Sequence, residues 1–340
     1  MKDTEQAEQD TKTLIRVAIA GASGFAGQEL LRLLARHPHV TITVATGSQS
    51  TSTPRRLPSL AKIWDGTVVP LTAAAFAADA VFLALPEAAS AELAPVLLKS
   101  GLRVIDLSGA FRLRDAGARA KFYPATPSLP DGVAYGLTEF ELEQIAGAKL
   151  LSNPGCYPTA ALLGLLPLQK AGLLKRGADI VIDAKSGLSG AGKAPTERTH
   201  FSENHGSVAA YNAFAHRHTP EMEQALGQPV TFVPHLVPLD RGILSSIYAR
   251  LPPGSTGAAV TAAFEAAYED APFVRLTGDQ LPEIKYVAHT NFCDVGWKVD
   301  ESSGRVFIVS VLDNLVKGAA GQAIQNFNVM FGFDQKAGLL

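Results

Sequence analysis

The chain has 340 residues, 47% of them hydrophobic and 18% charged, which is enough for two domains with cores of their own. Its formal net charge of -2, with no basic block, offers no electrostatic footprint for nucleic acid, and no apolar run is long enough for a membrane-spanning helix. The two cysteines, Cys156 and Cys293, form neither a C-x-x-C pattern nor a disulfide framework, which suits a reducing cytoplasm.

Residues 1–13 are polar and mixed in charge, with no apolar stretch of the kind a signal peptide needs, and they read as a disordered tail. A short apolar run at 17–20 follows, then Gly21, Gly24 and Gly27, then apolar residues at helical spacing. This is the pattern of the first strand-to-helix turn of a dinucleotide-binding unit. Gly21 would make the tight turn, Gly24 would let backbone approach a pyrophosphate, and Gly27 would let helix pack close to strand. The phosphates would sit on the helix N-terminus. The spacing is G-x-x-G-x-x-G rather than G-x-G-x-x-G, so its context between strand and helix carries the assignment.

The second strand, at 40–45, ends in Thr46, Gly47 and Ser48 rather than in the acidic residue that would bind a ribose 2′-hydroxyl. Ser48 could donate to a 2′-phosphate, and Arg55 and Arg56 could add charge. NADP is therefore expected rather than NAD.

Apolar runs recur at 80–85, 103–107 and 149–152 with helical segments between them, which implies a doubly wound parallel sheet. Open sheets of this kind bind ligands at the carboxyl ends of their strands. Residues 85–87 (including Pro86), 108–112 (including Arg112) and 153–156 (including Asn153) would then converge on one site. Beyond residue 157, strand-like runs at 179–183, 230–233, 243–249 and 306–311 dominate, with fewer helices between them. The expected architecture is α/β: a Rossmann-type doubly wound parallel sheet plus a second α+β domain with a mixed or antiparallel sheet. Residues 14–156 and 315–340 would form the NADP-binding domain, the latter through a helix in 314–331 that returns to it. Residues 157–314 would form the domain for catalysis and dimerisation.

Cys156 lies where a strand gives way to a helix, with Pro158 near the helix start, so the dipole favours its thiolate. The dipole supplies about 0.3–1 kcal/mol, against about 1.36 kcal/mol for one pKa unit. A second group is needed, and an imidazole is the natural one. His216 and His218 flank Arg217; in an extended segment both would address one pocket while Arg217 points elsewhere. Thr219 reads as an N-cap with Pro220 at the first helical position, holding His218 on a rigid edge as acid/base. His216 is its neighbour or substitute, and His235 a third candidate. Cys293 reads as an inert buried thiol. A zinc site on His216, His218 and a cysteine lacks a compact fourth-ligand motif and leaves the glycine turn unexplained, so no metal is expected.

Several segments together carry a family resemblance: residues 21–27, D-L-S-G-A-F-R at 106–112, Y-G-L-T-E at 135–139, S-N-P-G-C-Y-P-T at 152–159, S-G-L-S-G-A-G at 186–192, H-R-H-T-P-E at 216–221, Arg241-Gly242-Ile243, and the run at 314–328. From Arg16 to Phe331 the chain resembles the N-acetyl-gamma-glutamyl-phosphate reductases of the aspartate-semialdehyde dehydrogenase group. The resemblance implies an NADPH-dependent step of arginine biosynthesis that reduces an acyl phosphate to a semialdehyde through a cysteinyl thioester. It implies Cys156 as nucleophile and His218 as acid/base, with Gly21, Ser23, Gly24, Phe25 and Gly27 at the cofactor phosphates. Pro86, Ser186, Gly187, Ser189 and Gly190 would complete the cofactor site, the last four near the nicotinamide. Arg112 would clamp the phosphoryl group and Arg241 the substrate carboxylate, with Asn153 and His216 also at the substrate. A homodimer or homotetramer is expected. The chain departs from the family pattern at Ala110 and Thr138, where many members have Asp and Pro. Two other readings stay open: a sister enzyme acting on aspartyl phosphate or a carrier-linked aminoadipyl phosphate, and an NADPH-binding thiol sensor without turnover.

Overall fold

The computed structural model describes residues 14–47, 53–71 and 76–340; the tail at 1–13 and Ser48, the expected 2′-phosphate donor, lie outside them. Seven strands form the first sheet: β1 (Ile15–Ala20), β2 (Val40–Thr46), β3 (Val68–Val69), β4 (Ala80–Leu83), β5 (Arg103–Asp106), β6 (Val133–Tyr135) and β7 (Leu150–Ser152). Their order is β3-β2-β1-β4-β5-β7-β6 and every pairing is parallel. The central strands β4 and β7 are buried along their whole length, as strands covered on both faces must be.

Helix α1 (Phe25–Leu34) follows β1, α2 (Glu87–Lys99) follows β4, and α3 (Ala116–Phe122) and α4 (Thr138–Ala146) lie between β5 and β7. Leu30, Leu31 and Leu34 of α1 fill one face of the sheet, and Leu93, Ala94 and Leu97 of α2 the other. The chain then enters α5 (Cys156–Lys170), buried from Tyr157 to Leu168 with no polar stripe. Such a helix belongs inside a core. It packs on the second sheet, beside Ile182, Ile247 and Ile308. Cys156, its first residue, thus stands where one domain hands over to the other.

The second sheet is mixed, in the order β12-β13-β14-β11-β8-β10-β9. Its strands are β8 (Val181–Ser186), β9 (Ala209–Ala210), β10 (Thr231–Leu236), β11 (Ile243–Arg250), β12 (Val274–Gly278), β13 (Cys293–Asp300) and β14 (Arg305–Leu312). Helices α6 (Phe201–Asn204), α7 (Thr219–Leu226) and α8 (Gly257–Tyr268) are inserted among them. After β14 a π-helical turn at Val316–Ala320 leads into α9 (Gly321–Phe331), whose Ile324, Phe327 and Met330 return to the first sheet.

The expected α/β class and the returning C-terminal helix are both present. Some element bounds differ from the sequence reading. The run at 179–183 begins later and continues through Lys185 to Ser186, because both of these residues pair with β10 on one side and β11 on the other. Helix α8 was not anticipated, although Thr256 caps it by accepting from Ala259 N at 3.2 Å.

Candidate active site

The glycine turn is built as its spacing implies. Gly21 has φ +88°, and a side chain on it would overlap the carbonyl of Ala84 on the neighbouring strand. A Cβ on Gly27 would overlap the Gly21 carbonyl, while one on Gly24 would meet nothing nearer than 3.5 Å. Gly24 is the N-cap of α1 and no side chain caps that helix, so its first N–H groups face a cleft lined by Gly24, Phe25, Ala26 and Gly27. Neither Thr46 nor Gly47, at the end of β2, is acidic. A dinucleotide pyrophosphate fits this cradle.

The same cleft, of about 420 Å³, runs on past Leu85, Pro86 and Ser108 to Asn153, Cys156 and His218. Strand ends β4, β5 and β7 therefore do converge. Ser189 and Gly190 line the cleft from the second domain, whereas Ser186 and Gly187 stand behind it. Ser186 is buried, its Oγ donating to Gly187 O at 2.9 Å, and Gly187 packs on the backbone of Arg241. Ser23 does not line the cleft; its carbonyl accepts from Lys193 Nζ at 3.3 Å and Gln28 Nε2 at 3.0 Å. Lys193 thereby ties the second domain to the glycine turn.

Cys156 opens α5, whose N-cap Gly155 offers no side chain. Burial pushes the thiol above its ordinary pKa, against the opposing pull of the Arg112 charge and the Tyr157 N–H. His218 lies against Gly155, the residue before the thiol. A Cβ on Gly155 would stand 2.6 Å from His218 Nε2 and 2.9 Å from Arg112 Nη1, so glycine lets these groups close on the chain beside the thiol. Burial pushes His218 well below the usual imidazole range, helped by His216 and by the charges of Arg112 and Arg217. Both shifts favour the neutral forms of thiol and imidazole. Arg112 Nη1 donates toward His218 Nε2 at 3.3 Å, which leaves the ring proton on Nδ1, a buried atom with no partner among the described residues.

The histidine segment differs from its sequence reading. Residues 211–218 turn rather than extend, and His218 itself is the N-cap of α7, with Thr219 and Pro220 inside the first turn. The alternation argument consequently fails: Arg217 lines the cleft with His218, and His216 lines a separate recess. His216 is packed by Tyr157, Tyr211 and Phe232, and its Nδ1 accepts from His218 N at 3.0 Å. Burial, then the Arg217 charge, lowers its pKa to about 4. His235 is remote from the cleft, within reach of Asp183 at 3.2 Å.

Two arginines also sit differently from expectation. Arg112 is buried, with Nε donating to Asn153 O at 2.8 Å and Nη2 to Leu107 O at 2.9 Å, so only its Nη1 edge addresses the cleft. Arg241 does not line the cleft with Cys156; it pairs with Glu29 of α1 at 3.1 Å and Asp313 at 3.6 Å, joining the two domains. Asn153 lines the cleft, but its side chain is committed: Nδ2 donates to Ala319 O at 3.2 Å and Oδ1 accepts from Asn326 at 3.1 Å.

Glu221 was quoted in the H-R-H-T-P-E run without a role. It is buried, and its Oε1 accepts from Gly155 N and from Tyr135 OH, each at 2.8 Å, while Oε2 lies 3.5 Å from Arg112 Nη1. Its signal was an acid in the first turn of a helix that follows directly on the histidines. Among the described residues no His, Cys, Asp and Glu cluster is arranged to hold a metal.

Comparison with known proteins is consistent along the chain. Residues 16–148 match the family model "Semialdehyde dehydrogenase, NAD binding domain", and residues 156–314 match "Semialdehyde dehydrogenase, dimerisation domain". The N-acetyl-gamma-glutamyl-phosphate reductase of Shouchella clausii is 48% identical, over 96% of this chain and 98% of its own length. Proteins of the same name from Geobacillus stearothermophilus and Syntrophobacter fumaroxidans are 47% and 43% identical with the same coverage. Among solved structures, aspartate semialdehyde dehydrogenase II of Vibrio cholerae aligns with a TM-score of 0.72 at 19% identity, covering 94% of this chain and 99% of that one. The aspartate semialdehyde dehydrogenase of Candida albicans, solved with NADP, aligns with a TM-score of 0.69 at 15% identity, covering 96% and 99%. At these identities the structures speak for the fold.

Proposed function

This chain belongs to the semialdehyde dehydrogenase family, among its N-acetyl-gamma-glutamyl-phosphate reductases, and on that premise we propose how its cleft reduces N-acetyl-L-glutamyl 5-phosphate to N-acetyl-L-glutamate 5-semialdehyde and phosphate with NADPH. The observation that carries the reading is that Cys156, His218 and the glycine turn all open onto one cleft.

Gly24, Phe25 and Gly27 would hold the cofactor phosphates on the turn that Gly21 makes, with Pro86, Ser189 and Gly190 along its path; Ser186 and Gly187 support that wall from behind. NADPH, when bound, supplies the hydride that reduces the acyl carbon. The remaining work belongs to the chain. Cys156 Sγ attacks the acyl carbon while His218 Nε2 takes the thiol proton, the carbon–oxygen bond to phosphate breaks, and a thioester remains. The Nη1 edge of Arg112 offsets the negative charge that develops on the carbonyl oxygen and the departing phosphate. When the carbon–sulfur bond later breaks, sulfur leaves as the thiol, and His218 moves the proton between sulfur and the aldehyde oxygen. Asn153 and Glu221 fix the turn that carries Cys156.

The reading includes a homodimer or homotetramer. It is supported by the dimerisation-domain match and by the outer face of the second sheet, where half-exposed Tyr248 packs tilted on Phe307 with ring centroids 4.9 Å apart. It also includes a cytoplasmic location, since a nucleophilic thiol has to stay reduced.

The test runs the reaction backwards. Incubation with N-acetyl-glutamate semialdehyde, phosphate and NADP gives phosphate-dependent NADPH absorbance, and Cys156→Ser abolishes it while NADPH binding persists. Turnover with aspartate semialdehyde alone would overturn the substrate, and NADPH binding without turnover of either would overturn the enzyme.

A further inference from the structure

We propose that the polar recess beside the cleft binds the acylamino-carboxylate end of the substrate, with Arg217 as the partner of its carboxylate. The inference rests on the reductase reading above. Such a substrate has two anionic ends, a phosphate on the reacting carbon and a carboxylate a short methylene chain away, so two cations in different places are required.

Three cations line the cleft: Arg112, Lys193 and Arg217. Arg112 stands against Gly155 beside the thiol and spends Nε and Nη2 on carbonyls, so it belongs to the reacting end. Lys193 is engaged with Ser23 O on the glycine turn. Arg217 is different. Its side chain is 55% exposed, and its ion-pair partner is Glu87 at 3.8 Å, outside hydrogen-bond distance, from across the cleft. A guanidinium in that state has donors to give a carboxylate, bidentately.

The recess lies on the side away from the glycine turn. It has a volume of about 760 Å³ and is lined by Arg198, Tyr211, Asn212 and His216, and Gly190 and Arg217 line both it and the cleft. Those two residues stand between the spaces and are common to both. Glu197 and Glu203 also line the recess and balance the two arginines, so a carboxylate there is recognised by a particular guanidinium rather than by a diffuse field. Asn212 in the wall has φ +46°, and Phe214, two residues on and outside the lining, has φ +60°. Left-handed non-glycine residues persist where the surroundings hold them, and they gather at ligand sites.

The experiment compares N-acetyl-glutamate semialdehyde with 4-acetamidobutanal, which lacks the carboxylate, in phosphate-dependent NADP reduction. Wild-type protein prefers the carboxylated aldehyde. Arg217→Ala lowers kcat/KM for it, through KM, by about tenfold or more beyond whatever it loses on 4-acetamidobutanal, so that the preference between the two aldehydes collapses. Arg217→Lys retains part of the preference. An equal loss on both aldehydes, or a raised KM for phosphate with the preference intact, overturns the assignment. Wild-type protein that reduces no NADP with either aldehyde overturns instead the reductase reading on which it rests.

Discussion

Glu221 Oε1 accepts the backbone N–H of Gly155 at 2.8 Å, and Gly155 is the residue before Cys156. Helix α7 thus holds the turn that leads into Cys156. The same carboxylate faces Arg112 at 3.5 Å in a site where both side chains are more than nine-tenths buried. Removing one member of such a pair leaves the other charged and unmatched, typically at a cost of about 3–5 kcal/mol. Glu221→Ala is expected to lower the melting temperature by several degrees and kcat by about 100-fold or more. Glu221→Gln keeps an acceptor for Gly155 but not the charge opposite Arg112, and should recover only part of the stability, with kcat still depressed. Unchanged melting and turnover in Glu221→Ala would remove the carboxylate from the site's framework.

The protonation state of the pair is open to a direct check. Burial raises the Cys156 thiol and lowers His218, so both shifts oppose a preformed thiolate–imidazolium pair. Raising a thiol's pKa extends the pH range over which it stays neutral, and lowering an imidazole's does the same from the other side. In the protein without ligands, the rate of Cys156 alkylation by iodoacetamide should climb only in the alkaline range. A plateau reached below pH 7 would mean an ion pair and a different order of proton transfer.

Gly155 supplies a steric test. Its φ of -67° is open to any residue, so only space forbids a side chain, and a Cβ would press on His218 Nε2 at 2.6 Å and Arg112 Nη1 at 2.9 Å. Gly155→Ala should push His218 and Arg112 away from the turn before Cys156 and cut kcat by about 100-fold, since misplacement of about 1 Å can cost that much. NADPH binding, measured by fluorescence, should persist because the glycine turn is untouched.

How far the sequence alone could be read follows from the kind of signal each residue left. The glycine turn and Cys156 were legible because each sits at a junction whose local chemistry is periodic: a strand, a turn with special backbone needs, a helix. Arg217 and His216 were exchanged because an alternation argument needs an extended chain, and Asn212 and Phe214 turn the segment instead. Arg241 looked like a substrate ligand because nothing local revealed Glu29, 212 positions earlier, as its partner. Glu221 and Tyr135 were in view but without roles, since the bond between them joins elements 86 residues apart. Local patterns found the site, and long-range polar pairing then decided which of its residues are free.

His216 should leave a signature in acid stability. Its pKa falls to about 4 in the folded protein, for burial and then the Arg217 charge, against about 6.5 in an unfolded chain. Because the folded value is the lower one, the unfolded chain takes the proton first. The neutral ring's contribution is complete above about pH 6.5 and is lost as pH falls through about 4, at most about 3 kcal/mol in all. Chemical denaturation at pH 7 and at pH 4.5 should show a smaller loss of stability on acidification in His216→Asn than in wild type. Equal losses would place the acid sensitivity elsewhere.

Lys317 and Glu139 form a buried ion pair between the π-helical turn and α4, both about 1% exposed or less. Gln325 bonds both partners, accepting from Lys317 Nζ at 2.7 Å and donating to Glu139 at 3.1 Å. The pair matters to the site through Gly318, the next residue, where an added Cβ would stand 2.8 Å from Cys156 Cβ. Lys317→Met leaves Glu139 charged in the core and should cost about 3–5 kcal/mol, read by urea denaturation. Adding Glu139→Gln removes the stranded charge and should restore much of that loss. If the charge pair only stabilises the fold, the double variant also regains turnover. If it sets the turn that presses on Cys156, kcat stays low while stability returns, because Met cannot supply the hydrogen bonds that hold Lys317 to Gln325 and the turn in register.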